Sequence, residues 1–126
     1  MRLLLACIAL IAATTTLSGP SCGQSQSAMN RQAQGEFLAA DQRLNAVYAG
    51  LTAKISAAGK AGLRKAEAAW LRFRDQECAF ETMGSAGGSI HPMVVSRCKS
   101  RLTLQRIKDL EAQLTCAEGD VACGGQ

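Results

Sequence analysis

From Phe37 to Leu114 the apolar residues return at intervals of three, four and seven, the rhythm of α-helices that each bury one face. The expected fold is therefore all-α, a small three-helix antiparallel bundle or hairpin stabilised by disulfides. The first helix should run from about Ser27 to Ala57, with Phe37, Leu44, Tyr48, Leu51 and Ile55 on its buried face and Asp41 on the same stripe. Gly35 and Gly50 lie inside it and each costs about 1 kcal/mol relative to alanine, so this helix depends on packing. A break near Gly59, containing Lys60 and Gly62, should turn the chain back. The second helix is then expected from about Ala61 to Met83, burying Leu63, Ala66, Trp70, Phe73, Cys78 and Phe80, with Arg74 at helical spacing between Trp70 and Cys78. A connector rich in glycine and serine leads to Pro92, which suits the first turn of a third helix ending near Thr115. The apolar line of that helix, Val94 or Val95, Cys98, Leu102, Leu110 and Leu114, is interrupted by Arg106.

The chain has 126 residues, enough for one compact domain and too few for a second core. Met1 and Arg2 precede the apolar run Leu3 to Ala13, which is too short to span a bilayer and gives way to small polar residues. Residues 1–21 read as a secretory signal peptide with a cut between positions 21 and 23, and residues 22–126 as the exported helical domain. The position of the cut decides whether Cys22 is kept. A lipoprotein signal fits less well, because Pro20 and Ser21 separate the Leu17-Ser18-Gly19 stretch from Cys22.

With Cys7 lost in the leader, the domain holds Cys78, Cys98, Cys116 and Cys123, which in an exported domain of this size point to two disulfides. There is no closely spaced cysteine pair of the zinc type and His91 is the single histidine, so neither a metal nor a cofactor is expected. The absence of Cys-x-x-Cys argues against thioredoxin-like redox chemistry. Four cysteines allow three connectivities. In an antiparallel hairpin, Cys78 near the end of the second helix would face Cys98 near the start of the third, closing a loop of about 20 residues worth roughly 3 kcal/mol by chain entropy. Cys116 and Cys123 would then close the C-terminal segment.

Asp41, Arg74 and Arg106 bring charge onto apolar stripes, which favours a structural ion network that fixes helix register over a partner-binding site. No nucleophile with an adjacent base is visible, so the chain is not read as an enzyme. The loop residues Gly84, Ser85, Gly87, Gly88, Ser89 and His91 form the most exposed non-helical stretch and are either a plain connector or a partner-contact loop. Nucleic acid is not an expected partner: Arg97, Lys99 and Arg101 cluster near a helix start, but aromatic content is 4% and the expected location is outside the cytoplasm.

Met29-Asn30, Asp41-x-x-Leu44-Asn45-x-x-Tyr48, Ala69-Trp70-x-x-x-Arg74-Asp75-x-x-Cys78 and Cys98-x-x-x-Leu102-Thr103-x-x-Arg106-x-x-x-Leu110 follow one another in an order that resembles the lysozyme inhibitor LprI-like N-terminal domain family. The resemblance covers about Cys22 to Cys123. It implies an exported bacterial helical domain, periplasmic or lipid-anchored, in a family where lysozyme inhibition is attributed to at least one member. One departure is Gln32, which stands where the family often has a second N-terminal cysteine; Cys22 would lack that mate.

Two functions follow from the resemblance: an envelope protein that binds and inhibits a lysozyme-like muramidase, or a disulfide-stabilised periplasmic or extracellular module with another partner. Charge bears on the choice. The net charge is +4, and loss of Arg2 with the leader would leave 13 basic against 10 acidic residues, a charge of +3. Long-range attraction to a strongly basic lysozyme is disfavoured by that sign, although Glu77 and Glu81 beside the loop could form a local acidic patch.

Overall fold

The computed structural model describes residues 25–117 and 119–125. Leader, cleavage point and the fate of Cys7 and Cys22 lie outside the described residues. Three helices follow one another: α1 (Gln26–Lys54), α2 (Ala57–Glu81) and α3 (His91–Leu114), with a single 3₁₀ turn at Met83–Ser85 before α3. No strand occurs among the described residues.

Consecutive helices run antiparallel, so α1 and α3 run parallel, and among the described helices this pair shares the most extensive contact. Its register is read from three cross-links: Gln26 reaches toward Met93, Asn30 toward the Ser89 carbonyl and Arg43 toward Glu111. Ala33, Ala40, Leu44 and Leu51 of α1 meet Met93, Thr103, Ile107 and Leu110 of α3, all buried. Both sets follow the three-four alternation of a coiled-coil seam. The small side chains of Ala33, Ala40 and Thr103 let the backbones come close at one end, and Leu44, Leu51, Ile55, Ile107 and Leu110 form the apolar cluster at the other. Each of these core residues, once buried, contributes about 1.5–3 kcal/mol for an aliphatic side chain of this size.

The second helix is seated differently. Its only buried residues are Arg74 and Cys78, with Leu63 and Trp70 half-buried against the cluster. Ala66, Phe73 and Phe80, expected in the core, are exposed, Phe80 by 71% and Phe73 by 50%. The cause is rotational: Cys78 must face Cys98, and turning α2 to satisfy that bond carries Phe73 and Phe80 to its flank. On α3 the expected line Leu102, Arg106 and Leu114 is only half-buried, because the seam with α1 runs through Met93, Thr103, Ile107 and Leu110 instead.

The break between α1 and α2 also differs from expectation. It consists of Ile55 and Ser56, with Ile55 buried and the Ser56 hydroxyl accepting from the Gly59 amide at 3.1 Å as an N-cap. Gly59, Lys60 and Gly62 lie inside α2 and break nothing. Gly59 is needed for a different reason: a Cβ there would lie 2.6 Å from the Gly125 carbonyl oxygen. The segment after α3, clasped by the Cys116–Cys123 disulfide, returns over the α1–α2 turn, where the Ser56 amide donates to Gly125 O at 2.8 Å. Gln113 steadies this strap, its Oε1 accepting from the Gly124 amide at 2.8 Å.

These two uses of glycine are separable by experiment. Gly50 has open space where a Cβ would go, so Gly50→Ala should raise stability in urea unfolding by up to about 1 kcal/mol. Gly59→Ala should gain nothing net and should accelerate hydrogen exchange at the Ser56 amide, because the new methyl displaces Gly125.

Candidate functional site

Arg74 is the charge on which the three helices converge. Its side chain is 9% exposed, and Nη1 donates to Asp41 of α1 at 2.9 Å while Nε donates to Asp75 at 3.1 Å. The Thr103 hydroxyl of α3 lies 3.5 Å from Nη1. The guanidinium also sits over the rings of Phe37, at 5.2 Å, and Trp70, at 5.4 Å. A planar, weakly hydrated cation with several donors suits such a position, where a lysine would leave one carboxylate unmatched.

Asp75 is shared. Lys99 of α3 approaches it at 3.2 Å, so one carboxylate joins α2 to α3 through two cations. Partial burial alone would raise its pKa, but hydrogen bonds from Lys99 and Arg74, with their charges, outweigh that and hold the carboxyl below its ordinary value of 3.8.

Of the residues anticipated for an ion network, Asp41 and Arg74 are brought together and Arg106 is not. Arg106 pairs with Glu67 of α2, Nε and Nη2 each 2.9 Å from Oε2, both side chains largely buried. Trp70 lies between the two pairs, its ring 5.4 Å from the Arg74 guanidinium and 5.8 Å from that of Arg106. Glu67 was missed by the sequence reading, yet it lies between Leu63 and Trp70 at helical spacing, and that position was the available signal.

The Gly84–His91 stretch is ordered by its own hydrogen bonds rather than left as slack chain. Ser85 belongs to the 3₁₀ turn, and its hydroxyl donates to the Thr82 carbonyl at 2.8 Å while lying 2.8 Å from His91 Nδ1. With its single proton given to Thr82, the hydroxyl accepts from Nδ1–H. His91 is thus the half-buried first residue of α3 and not an exposed loop residue. The Gly88 amide returns to Ser85 O at 2.9 Å, and Asn30 Nδ2 holds the Ser89 carbonyl at 2.9 Å. Gly87 has φ of +78°, a conformation that only glycine adopts freely. Gly84, Gly87, Gly88 and Ser89 form the exposed tip. Next to it, a groove of about 420 Å³ between the starts of α1 and α3 is lined by Arg31, Phe37, His91, Val95 and Lys99. Of the anticipated acidic patch, Glu81 is engaged by Arg101 at 2.6 Å and 2.8 Å, leaving Glu77 without an ion pair among the described residues.

Cys78 is bonded to Cys98, with both residues buried, and Cys116 to Cys123. Among the described residues no group of three or more His, Cys, Asp or Glu could hold a metal ion, and no helix is long and apolar enough to cross a membrane.

A family model described as "Lysozyme inhibitor LprI" matches residues 19–110, which include all three helices except the last turn of α3. An uncharacterised protein of Rhizobium meliloti (strain 1021) is 34% identical over 133 aligned positions, covering 94% of this chain and 94% of that protein. No solved structure matches the chain.

The convergence on Arg74 leads to two expected outcomes. Arg74→Ala should destabilise by about 3 kcal/mol in urea unfolding, because it opens a void between Phe37 and Trp70, whereas Asp41→Asn should cost about 1 kcal/mol, since Asp75 still partners the guanidinium. A depressed carboxyl contributes stability that is complete above its ordinary value and is lost as pH falls through the lower folded-state value. Thermal midpoints should therefore decline below pH 3.8, and Asp75→Asn should lessen that acid decline relative to the unaltered protein.

Proposed function

The chain belongs to the lysozyme inhibitor LprI family, and on that premise we propose that it is an exported envelope protein that binds and inhibits a lysozyme-like muramidase. The family match over residues 19–110 carries this reading, and it spans the whole of the α2–α3 connection. Two disulfides and a described region without a membrane-crossing helix fit an oxidising compartment outside the cytoplasm, the periplasm in the first instance. The protein acts by occupying its target and not by catalysis.

The contact surface in this proposal is the tip formed by Gly84, Ser85, Gly87, Gly88 and Ser89, with His91 behind it. A loop already held by Thr82, Asn30 and His91 loses little freedom on binding, which is what a tight inhibitor of an enzyme cleft requires. The neighbouring groove carries Arg31, which takes no part in an ion pair among the described residues, beside Lys99, whose charge Asp75 already shares, so Arg31 is the cation offered to acidic groups on the rim of the target. A muramidase with an acidic cleft border suits this surface better than a strongly cationic lysozyme.

The test is lysis of cell-wall suspensions by several muramidase types in the presence of purified, oxidised protein. Stoichiometric inhibition is expected, strongest for enzymes of low isoelectric point. Ala86→Glu combined with Ser89→Glu, both at exposed tip positions, should raise the half-inhibitory concentration by about tenfold or more while leaving the thermal midpoint unchanged. Lack of inhibition across every muramidase class by folded protein would reject the reading, and leave an envelope module with a different partner.

A further inference from the structure

The flank of α2 that the disulfide turns outward carries a pattern of its own. Ala66, Ala69, Phe73, Gln76, Phe80 and Met83 follow one another at alternating intervals of three and four, and every one of them is exposed. Phe73, Phe80 and Met83 are 50%, 71% and 67% exposed. The same alternation builds the buried α1–α3 seam, but here no element among the described residues covers it. On the helix itself the stripe runs from Ala66 to Phe80, about 21 Å, with Met83 just past its end in the 3₁₀ turn, an apolar ridge suited to another helix more than to a cleft.

Charges beside the ridge say which helix. In a seam with Ala66, Phe73 and Phe80 at one core position and Ala69, Gln76 and Met83 at the other, Lys65 and Arg72 precede the first set and Glu77 follows the second. Arg72 and Glu77 take no part in any ion pair among the described residues. When two copies of such a helix run parallel, the residue before one core position faces the residue five places further along its partner. That rule sets Arg72 of each copy against Glu77 of the other. An antiparallel pairing would instead set Lys65 and Arg72 against the same cations of the second copy, which is repulsive.

We propose that this face of α2 is the interface of a parallel, two-fold symmetric homodimer, with the stripe from Ala66 to Phe80 packed against its own copy and closed by reciprocal Arg72–Glu77 pairs. Gln76 lies in the middle of the ridge and meets Gln76 of the other copy, a single polar contact that fixes the register at some cost in affinity. A symmetric pairing of one surface patch with itself closes without leaving ridge exposed for further growth. The lysis-inhibiting tip at Gly87 and Gly88 lies beyond the end of the ridge, so the dimer would carry two tips on the same side.

The experiment is sedimentation velocity on oxidised protein recovered from the envelope of expressing cells, over concentrations up to roughly 100 µM. A dimer is expected. Phe73→Glu should give monomers with an unchanged helical circular-dichroism signal, since Phe73 contributes little to the core. Arg72→Glu and Glu77→Arg should each weaken association about tenfold or more, and the double exchange should restore it. Monomer at every concentration would overturn the proposal, as would a dimer insensitive to Phe73→Glu. Tighter association of Arg72→Glu alone would overturn the parallel arrangement. A muramidase complex abolished by Phe73→Glu in a protein that is itself monomeric would assign the ridge to that enzyme instead. Lysis inhibition is read separately, so its failure would not bear on the dimer.

Discussion

A buried guanidinium seats the middle helix. Apolar packing accounts for the pairing of α1 with α3, but α2 contributes only Leu63 and Trp70 to the cluster, half-buried, and has no aliphatic residue in the interior. What positions it is Arg74, satisfied by one carboxylate from α1, one from its own helix and a hydroxyl from α3, and sandwiched near Phe37 and Trp70. Desolvating a cation costs several kcal/mol, and the cost is offset by the carboxylates of Asp41 and Asp75 together with the two aromatic faces, Asp75 contributing a partner from the same helix and Asp41 the one that depends on how α2 sits on α1. The interaction therefore acts more as a test of register than as a source of net stability. With Arg74 in register, Cys78 falls opposite Cys98 and Glu67 opposite Arg106, so one alignment serves three cross-links.

Helix number and the Pro92 start of α3 were legible because each rests on local periodicity or on the chemistry of one residue. Arg74 is buried and Asp41 half-buried beside it, and both lie at helical spacing from apolar neighbours, which is the signal the sequence carries for them. The break between α1 and α2 was not. A glycine in a sequence signals either conformational freedom or the absence of a side chain, and Gly59 is of the second kind because of Gly125, far away in the chain. The outward setting of Phe73 and Phe80 was hidden for a related reason. Size and apolarity place them inside by default, and only the rotation of α2 demanded by Cys78 and Arg74 reverses that. Arg106 is half-buried and pairs with Glu67 rather than joining Asp41, a choice hidden in the sequence because Asp41 and Glu67 are both carboxylates on helical stripes and only the vertical register of α2 on α3 distinguishes them.

The proposed binding tip and the proposed dimer ridge share a structural origin. Both lie on or next to α2, the helix with the least apolar attachment to the rest of the fold. A helix held by a few polar and covalent anchors can spend its remaining surface on partners, whereas α1 and α3 expend theirs on one another. The family match reaches across all of these features and stops within the last turn of α3, short of the disulfide-clasped strap.

The parallel arrangement of α1 and α3 has a kinetic consequence. Contacts in their seam join residues such as Gln26 and Met93 or Arg43 and Glu111, separated by 67 and 68 positions, whereas Cys78 and Cys98 are separated by 20. Closing the shorter loop demands less chain entropy than closing the longer one. Under oxidising conditions the Cys78–Cys98 bond can thus join α2 to α3 before α1 has found its place. The finished hairpin then presents α1 with a preassembled groove instead of two independent helices, and the long-range part of folding becomes a single docking step.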